Sequence, residues 1–384
     1  MAQLATERSC TGCTACASVC PKNCITMKAD ADGFSCPVVD EAACVGCGLC
    51  EKACPVLTEA QYKHTPTAYA ARSLDTAMRL ESSSGGVFTE LARQILAQGG
   101  AVFGAVYDEN FRVVHACAED ESTLAKMRGA KYAQSDLTGI FRDVKARLNR
   151  GQQVLFAGTP CQVAGLLGFL GRYYENLITV DFVCHSVPSP MVWGEFVRSL
   201  GDVASINLRA KDTGWSGYQY AHRIVDRDGK PRLIHNFDSL YMKLFVGNYI
   251  NRLSCSRCSF KGYARCSDLT IGDFWGIWDI APEMDDNRGT SVVLVQSERG
   301  RSLWSAVSPS LDIREVTLEE ASRQNGAMLK PAPTAAAREA TLERIRKGDL
   351  EGCWDLFPVQ KPTALQRLRG KLSAIAHRLL RKNQ

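Results

Sequence analysis

From Thr67 onwards, short apolar runs alternate with stretches whose apolar positions recur every three or four residues. Thr67–Arg72 reads as a strand and Gly86–Ala97 as a helix; Ala101–Tyr107 and Arg112–Ala118 read as a strand pair around a turn at Asp108–Asn110. Helix, strand and helix follow over Leu137–Leu148, Gln153–Ala157 and Cys161–Leu170, then a strand over Leu177–Val183 and a helix over Pro190–Leu200. Such alternation predicts a mixed α/β core with several parallel strands. Between Val203 and Phe237 the apolar runs are shorter and more polar, with strands at Tyr218–Val225 and Arg232–His235, as an antiparallel insertion would be. The polar stretch Thr58–Pro66 and the run from Pro331 to Ala337 read as linkers. Three units are therefore expected: a small domain over residues 1–60, the α/β domain over 66–330, and a linker with a helical tail over 331–384.

The small domain has a different signature. Cys10, Cys13, Cys16 and Cys20 are followed by Pro21, and Cys44, Cys47, Cys50 and Cys54 by Pro55. Each copy is the C-x2-C-x2-C-x3-C-P run that holds 4Fe–4S clusters in two-cluster bacterial ferredoxins. Three thiolates at intervals of three curl around three corners of a cubane, and the proline turns the fourth towards the other cluster. One cluster is thus expected on Cys10, Cys13, Cys16 and Cys54, and the other on Cys44, Cys47, Cys50 and Cys20. Zinc or disulfides also use Cys-x2-Cys pairs, but rarely as this triple with Cys-Pro, repeated. The chain handles single electrons.

Bulk properties narrow the class further. The 384 residues are 45% apolar and 23% charged, the balance of a globular protein with a sizeable core. No stretch has the 18 or so apolar residues of a membrane span, and Met1–Ser9 lacks a signal core. With 17 cysteines, eight of them in cluster runs, the expectation is the cytoplasm of an anaerobic or microaerophilic cell. The net charge of +5 is concentrated at one end, since seven Lys/Arg and no acid lie beyond Gln360. The body is close to neutral, so no nucleic-acid partner is expected. In the tail, Leu365, Leu368, Leu372, Ile375 and Leu379 recur at helical spacing between basic residues. Such a helix suits an anionic membrane surface, an acidic partner, or packing on its own domain.

Three loops in the larger domain stand at strand ends or helix starts: Ser82–Gly86, Gly158–Cys161 and Gly272–Gly276. The first can cap a helix or approach an anion, and the second lies where open α/β sheets bind ligands. Cys255 and Cys258 form a further Cys-x2-Cys, Cys266 follows, and Cys161 and Cys184 each lie just past a strand. Four thiols converging there would make a third cluster site; structural zinc and inert buried thiols are the alternatives. Cys24, Cys36, Cys117 and Cys353 read as ordinary thiols. His185 reads as a general acid or as a residue that orients its loop, Asp273 with Phe274, Trp275 and Trp278 as lining for a pocket, and Lys211 as a solvated charge.

Five segments carry a resemblance: Ser82–Leu91, Arg128–Asp136, Val154–Leu166, Asp181–Pro190 and Cys255–Ile277. Together they resemble the coenzyme F420 hydrogenase/dehydrogenase beta-subunit family, from about Ala68 to about Ser297, with the ferredoxin unit as its N-terminal fusion. The resemblance implies an iron–sulfur flavoprotein oxidoreductase that binds FAD beside a third 4Fe–4S cluster. It would pass electrons between a ferredoxin-like or dehydrogenase partner and a deazaflavin or other small organic molecule. It implies flavin contacts at Ser83, Ser84, Gly85, Gly86 and Thr159, with Gly158 beside them, and cluster ligands at Cys161, Cys255 and Cys258. Cys184 is the natural fourth ligand and Cys266 its competitor. Members with these motif forms often accompany polysaccharide genes. The alternative function is an electron-relay subunit of a larger hydrogenase or dehydrogenase, and a zinc-bound adaptor is a third, weaker one.

Overall fold

The computed structural model describes residues 2–58, 62–215 and 219–358. The ferredoxin-like unit contains one antiparallel pair, β1 (Ile25–Ala29) and β2 (Ser35–Val39), and two short helices, Ala15–Val19 and Leu49–Lys52. The eleven further strands are β3 (Thr67–Ser73), β4 (Ala101–Tyr107), β5 (Val113–Ala118), β6 (Val154–Gly158), β7 (Leu177–Phe182), β8 (Val203–Ala210), β9 (Ala221–Asp226), β10 (Pro231–His235), β11 (Leu269–Asp273), β12 (Ser291–Val295) and β13 (Leu311–Val316). Eight of them form one mixed sheet in the order β13-β3-β12-β11-β7-β6-β4-β5. Its centre, β11-β7-β6-β4, is parallel, as the alternation of strands and helices requires. The three strands β8, β9 and β10 form a separate antiparallel sheet, the expected insertion.

Both faces of the large sheet are covered, which explains why β6 and β7 read as unbroken apolar runs. Leu155, Ile178 and Val180 face the helix Val87–Ala97 and Trp304 of Glu298–Val307. Their neighbours Val154, Phe156 and Leu177 face Phe141 and Val144 of Ile140–Asn149, and Val163 and Leu166 of Pro160–Leu170. The register pairs Val154 with Leu177 and Leu155 with Ile178, so each face is apolar across strands.

The ferredoxin unit docks on the helix Pro160–Leu170. A Cβ on Gly165 would lie 2.7 Å from Cys13 Sγ, and one on Gly168 would lie 2.4 Å from the Ala53 carbonyl oxygen. Those two glycines allow the close approach.

Residues 331–358 depart from the expected linker. The helix Arg338–Arg346 buries Leu342 and Ile345, and Leu350 and Cys353 follow them into a core with Trp193, Tyr241 and Phe245. Arg338 donates to the Asn251 carbonyl and pairs with Asp32 of the ferredoxin unit. The Pro-Ala run is only a short connection into packed structure. The basic stretch from Lys361, expected to be a helix, lies outside the described residues. Among the described residues no helix is long and apolar enough to cross a membrane.

Candidate iron–sulfur sites

In the ferredoxin unit the two cysteine runs share one backbone design. Gly12 and Thr14 in the first, and Gly46 and Gly48 in the second, all have positive φ, between 65° and 71°. A left-handed residue in each gap curls the chain so that successive cysteines face a common centre. The fourth cysteine of each run crosses over. Cys10, Cys13, Cys16 and Cys54 line one small cavity with Leu4, Met27 and Val56. Cys20, Cys44, Cys47 and Cys50 line another, where Cys24 is a fifth thiol 3.4 Å from Cys20. Cys36, also read as ordinary, hydrogen-bonds Cys10, and this bond, with Arg252 beside it, lowers the Cys10 thiol to about 6. Burial instead pushes Cys13 up, and Cys16 up to about 12.

The third group forms at the C-terminal edge of the parallel strands, where such sheets place their ligands. Cys161 is the second residue of the helix Pro160–Leu170, whose start is fixed by a reciprocal cap between Thr159 and Gln162. Cys184 follows β7, and Cys255 and Cys258 lie in and just after the turn Leu253–Arg257. All four line one cavity of about 360 Å³. Burial raises Cys161, Cys184 and Cys255 to about 12, and each also feels neighbouring thiols of the set. Cys266 lines a separate cavity of about 310 Å³ with Asp181 and Tyr62, and the charges acting on it are not those of the other four thiols. Among the described residues no three His, Cys, Asp or Glu converge on a single ion; the thiols surround spaces.

These spaces suit a cubane in a second respect. The Ser186 hydroxyl, in the wall of the third cavity, and Thr14 Oγ1, in the wall of the first, are buried without a partner. Thr11 Oγ1 is equally orphaned, and Thr11 and Val56 belong to both walls. Buried hydroxyls require acceptors, and cluster sulfides are acceptors. The first and third cavities are therefore neighbours. Arg252 borders the third cavity, and its guanidinium donates to the Cys10 carbonyl at 2.7 Å. No sequence signal marked it, because an arginine beside Leu-Ser-Cys reads as surface.

The residues assigned to a flavin are not gathered in one place. Gly158 and Thr159 end β6, whereas Ser83–Gly86 follows the helix Thr76–Glu81 and packs against Ala71 of β3 and Ser291 of β12, three to four strand positions away along the sheet. The loop's groups are engaged by the protein itself. Ser84 Oγ donates to the Thr290 carbonyl, its own carbonyl accepts from Lys211, and the Gly85 amide donates to Ser291 Oγ. A Cβ on Gly85 would lie 2.4 Å from the Ala71 carbonyl oxygen, so that glycine answers to packing. Gly86, at φ 85°, starts the helix Val87–Ala97. The loop's hydroxyls do not cap this helix, since Gly86 is its N-cap without a side-chain bond, and the Ser84 hydroxyl and Gly85 amide are turned to Thr290 and Ser291 and not to a flavin.

Asp273 pairs with the buried Arg209 at 3.1 Å, and Arg209 lies over the rings of Tyr220 and Trp275. Lys211 is buried rather than solvated. Its ammonium caps the Arg79 and Ser84 carbonyls, and burial lowers it to about 7. His185 borders the third cavity, hydrogen-bonds Asn248 at 2.9 Å and meets Phe245 edge-on, and burial lowers its pKa. That is the setting of a loop-orienting histidine more than of a proton donor.

Comparison with known proteins identifies both parts of the chain. A family model described as a 4Fe-4S dicluster domain matches residues 9–58. Two more describe the two ends of the coenzyme F420 hydrogenase/dehydrogenase beta subunit; the N-terminal model matches residues 68–142 and the C-terminal model residues 151–321. No curated protein matches the chain. Among solved structures, one titled "Xenon derivatization of the F420-reducing [NiFe] hydrogenase complex from Methanosarcina barkeri" is 16% identical. The match covers 77% of this chain and 92% of that one at a TM-score of 0.46. The chain, an iron–sulfur protein with a 4Fe–4S dicluster domain, belongs to the coenzyme F420 hydrogenase/dehydrogenase beta-subunit family.

Proposed function

We propose that this protein is the electron-relay subunit of an oxidoreductase complex, moving single electrons through three 4Fe–4S clusters. The first would be held by Cys10, Cys13, Cys16 and Cys54, the second by Cys44, Cys47, Cys50 and Cys20, and the third by Cys161, Cys184, Cys255 and Cys258. One observation carries this reading: the four cysteines of the larger domain border one cavity whose wall, at Thr11 and Val56, is also the wall of the first. A relay needs adjacent sites, and here they adjoin. The second site lies at the outer end, where Cys47 is exposed. Electrons would enter or leave there through a ferredoxin-like or dehydrogenase partner, and at the third site through the rest of the complex.

The finer reading, an FAD-dependent enzyme acting on a deazaflavin or another small organic molecule, rests on family membership. Its flavin contacts at Ser83–Gly86 and Thr159 meet groups already engaged by the protein.

Single cysteine-to-serine variants test the relay reading after anaerobic reconstitution. C161S, C184S, C255S and C258S should each lose about four irons per chain relative to wild type, whereas C266S should lose none. Full iron in all five variants would remove the third cluster. Loss in C266S with full iron in C184S would exchange the fourth ligand.

A further inference from the structure

Arg252 is 3% exposed and stands between two of the three sites. Its guanidinium donates to the Cys10 carbonyl at 2.7 Å, the Gln134 side-chain oxygen at 2.7 Å, the Ser35 carbonyl at 3.0 Å and Cys36 Sγ at 3.3 Å. It also lies over the Phe34 ring, and it borders the third cavity. Every one of these acceptors is formally neutral. Among the described residues, no carboxylate pairs with it, although the other deeply buried arginines, Arg79, Arg209, Arg265 and Arg338, each have one. A buried charge without a counter-charge is costly unless an anion stands beside it. The only anions the relay reading provides at that place are the clusters themselves, each bound through four thiolates.

We propose that Arg252 is the potential-setting residue of the relay. Resting on that reading, it holds the first cluster at a higher reduction potential than the second and so fixes where an electron comes to rest. A nearby positive charge stabilises the reduced, more negative cluster, and burial keeps solvent from screening it. Among the described residues the second cavity has no buried cationic side chain: Lys22, on its rim, is exposed and therefore screened. An electron arriving at the outer cluster would then fall inwards, towards the wall shared with the third site. Arg252 touches no reacting atom; it acts by position.

The test is a redox titration of the reconstituted full-length protein, followed by electron paramagnetic resonance, in wild type, R252K and R252Q. In R252Q the midpoint potentials of the first and third clusters should both fall, the first by the equivalent of at least a tenfold loss of electron affinity, about 59 mV for a one-electron couple. The second cluster's potential should stay near its wild-type value, and R252K should remain close to wild type. A merely structural role predicts instead that Lys and Gln are equally disruptive. If R252Q does not load iron, Q134E keeps the arginine but sets a carboxylate against it, and should give the same selective fall. Unchanged potentials in whichever variant loads, a uniform shift of all clusters, or equal shifts in R252K and R252Q would overturn the proposal. Wild type without twelve-iron loading would instead defeat the relay reading, and iron analysis keeps the two failures apart.

Discussion

Cys10 and Cys13 are three residues apart in one loop, yet the protein treats their thiols in opposite ways. The hydrogen bond from Cys36, with Arg252 nearby, brings Cys10 down to about 6, while burial drives Cys13 up. Cys161, Cys184 and Cys255 share the second fate, at about 12. Ligands bind iron as thiolates, so protons must leave these three when a cluster loads. Their folded pKa values lie above the ordinary thiol value, so they stay protonated through neutrality and compete with iron until the pH is raised. Loading of the third site is therefore expected to strengthen steadily between about pH 6.5 and about pH 8.5. The iron difference between wild type and C161S at limiting iron reports it, and a difference that ignores pH would contradict the raised thiols. Cysteine spacing was readable in advance because ligation by one loop is a local property. Arg252 and Lys211 were not, since whether a cation is buried depends on what distant segments fold over it.

At the scale of elements, the helix Pro160–Leu170 joins the two domains. One end presents Cys161, and its side, at Gly165 and Gly168, receives Cys13 and Ala53. Adding a methyl group at Gly165 forces a contact with the Cys13 side chain. G165A should cost about 1–3 kcal/mol through overpacking, seen as an earlier midpoint in denaturant unfolding. Gly194, in the helix Pro190–Ser199, has open space where its Cβ would be. G194A should be neutral or stabilising by up to about 1 kcal/mol. Equal destabilisation by both changes would show that glycine flexibility, and not fit, is the issue. Between Thr67 and Leu200 the helices of 10 or 11 residues and the unbroken apolar strands between them were legible, whereas the shorter helices Thr76–Glu81 and Glu121–Met127 were not. The short strands β11 and β12 and the helix Leu240–Val246 gave no comparable period. Nor did the order of the sheet: β3 lies between β12 and β13, more than 200 residues away in sequence, a pairing that tertiary packing decides.

Over the whole molecule, the last described segment closes the structure. Asp32, in the turn between β1 and β2, accepts ion pairs from Arg338 and Arg346, and the helix carrying them buries Leu342 in a distant core. L342D places a charge where no partner exists. It should cost about 3 kcal/mol or more, read as loss of soluble, iron-loaded protein, whereas a normal yield would mean that 338–358 is dispensable. The wall between the first and third sites bears on a different matter, the timing of biosynthesis. Thr6, Arg8, Ser9, Thr11 and Val56 help to enclose a cavity whose four thiols all come from the larger domain. Cys54 leaves the ribosome about 200 residues before Cys258, a delay of roughly 10–40 s at ordinary elongation rates. The two cysteine runs of the ferredoxin unit are complete before that interval begins, whereas the four thiols proposed for a third cluster are complete only when it ends. On the relay reading, cluster insertion would thus be staged by the order of the chain, with the third site filled last.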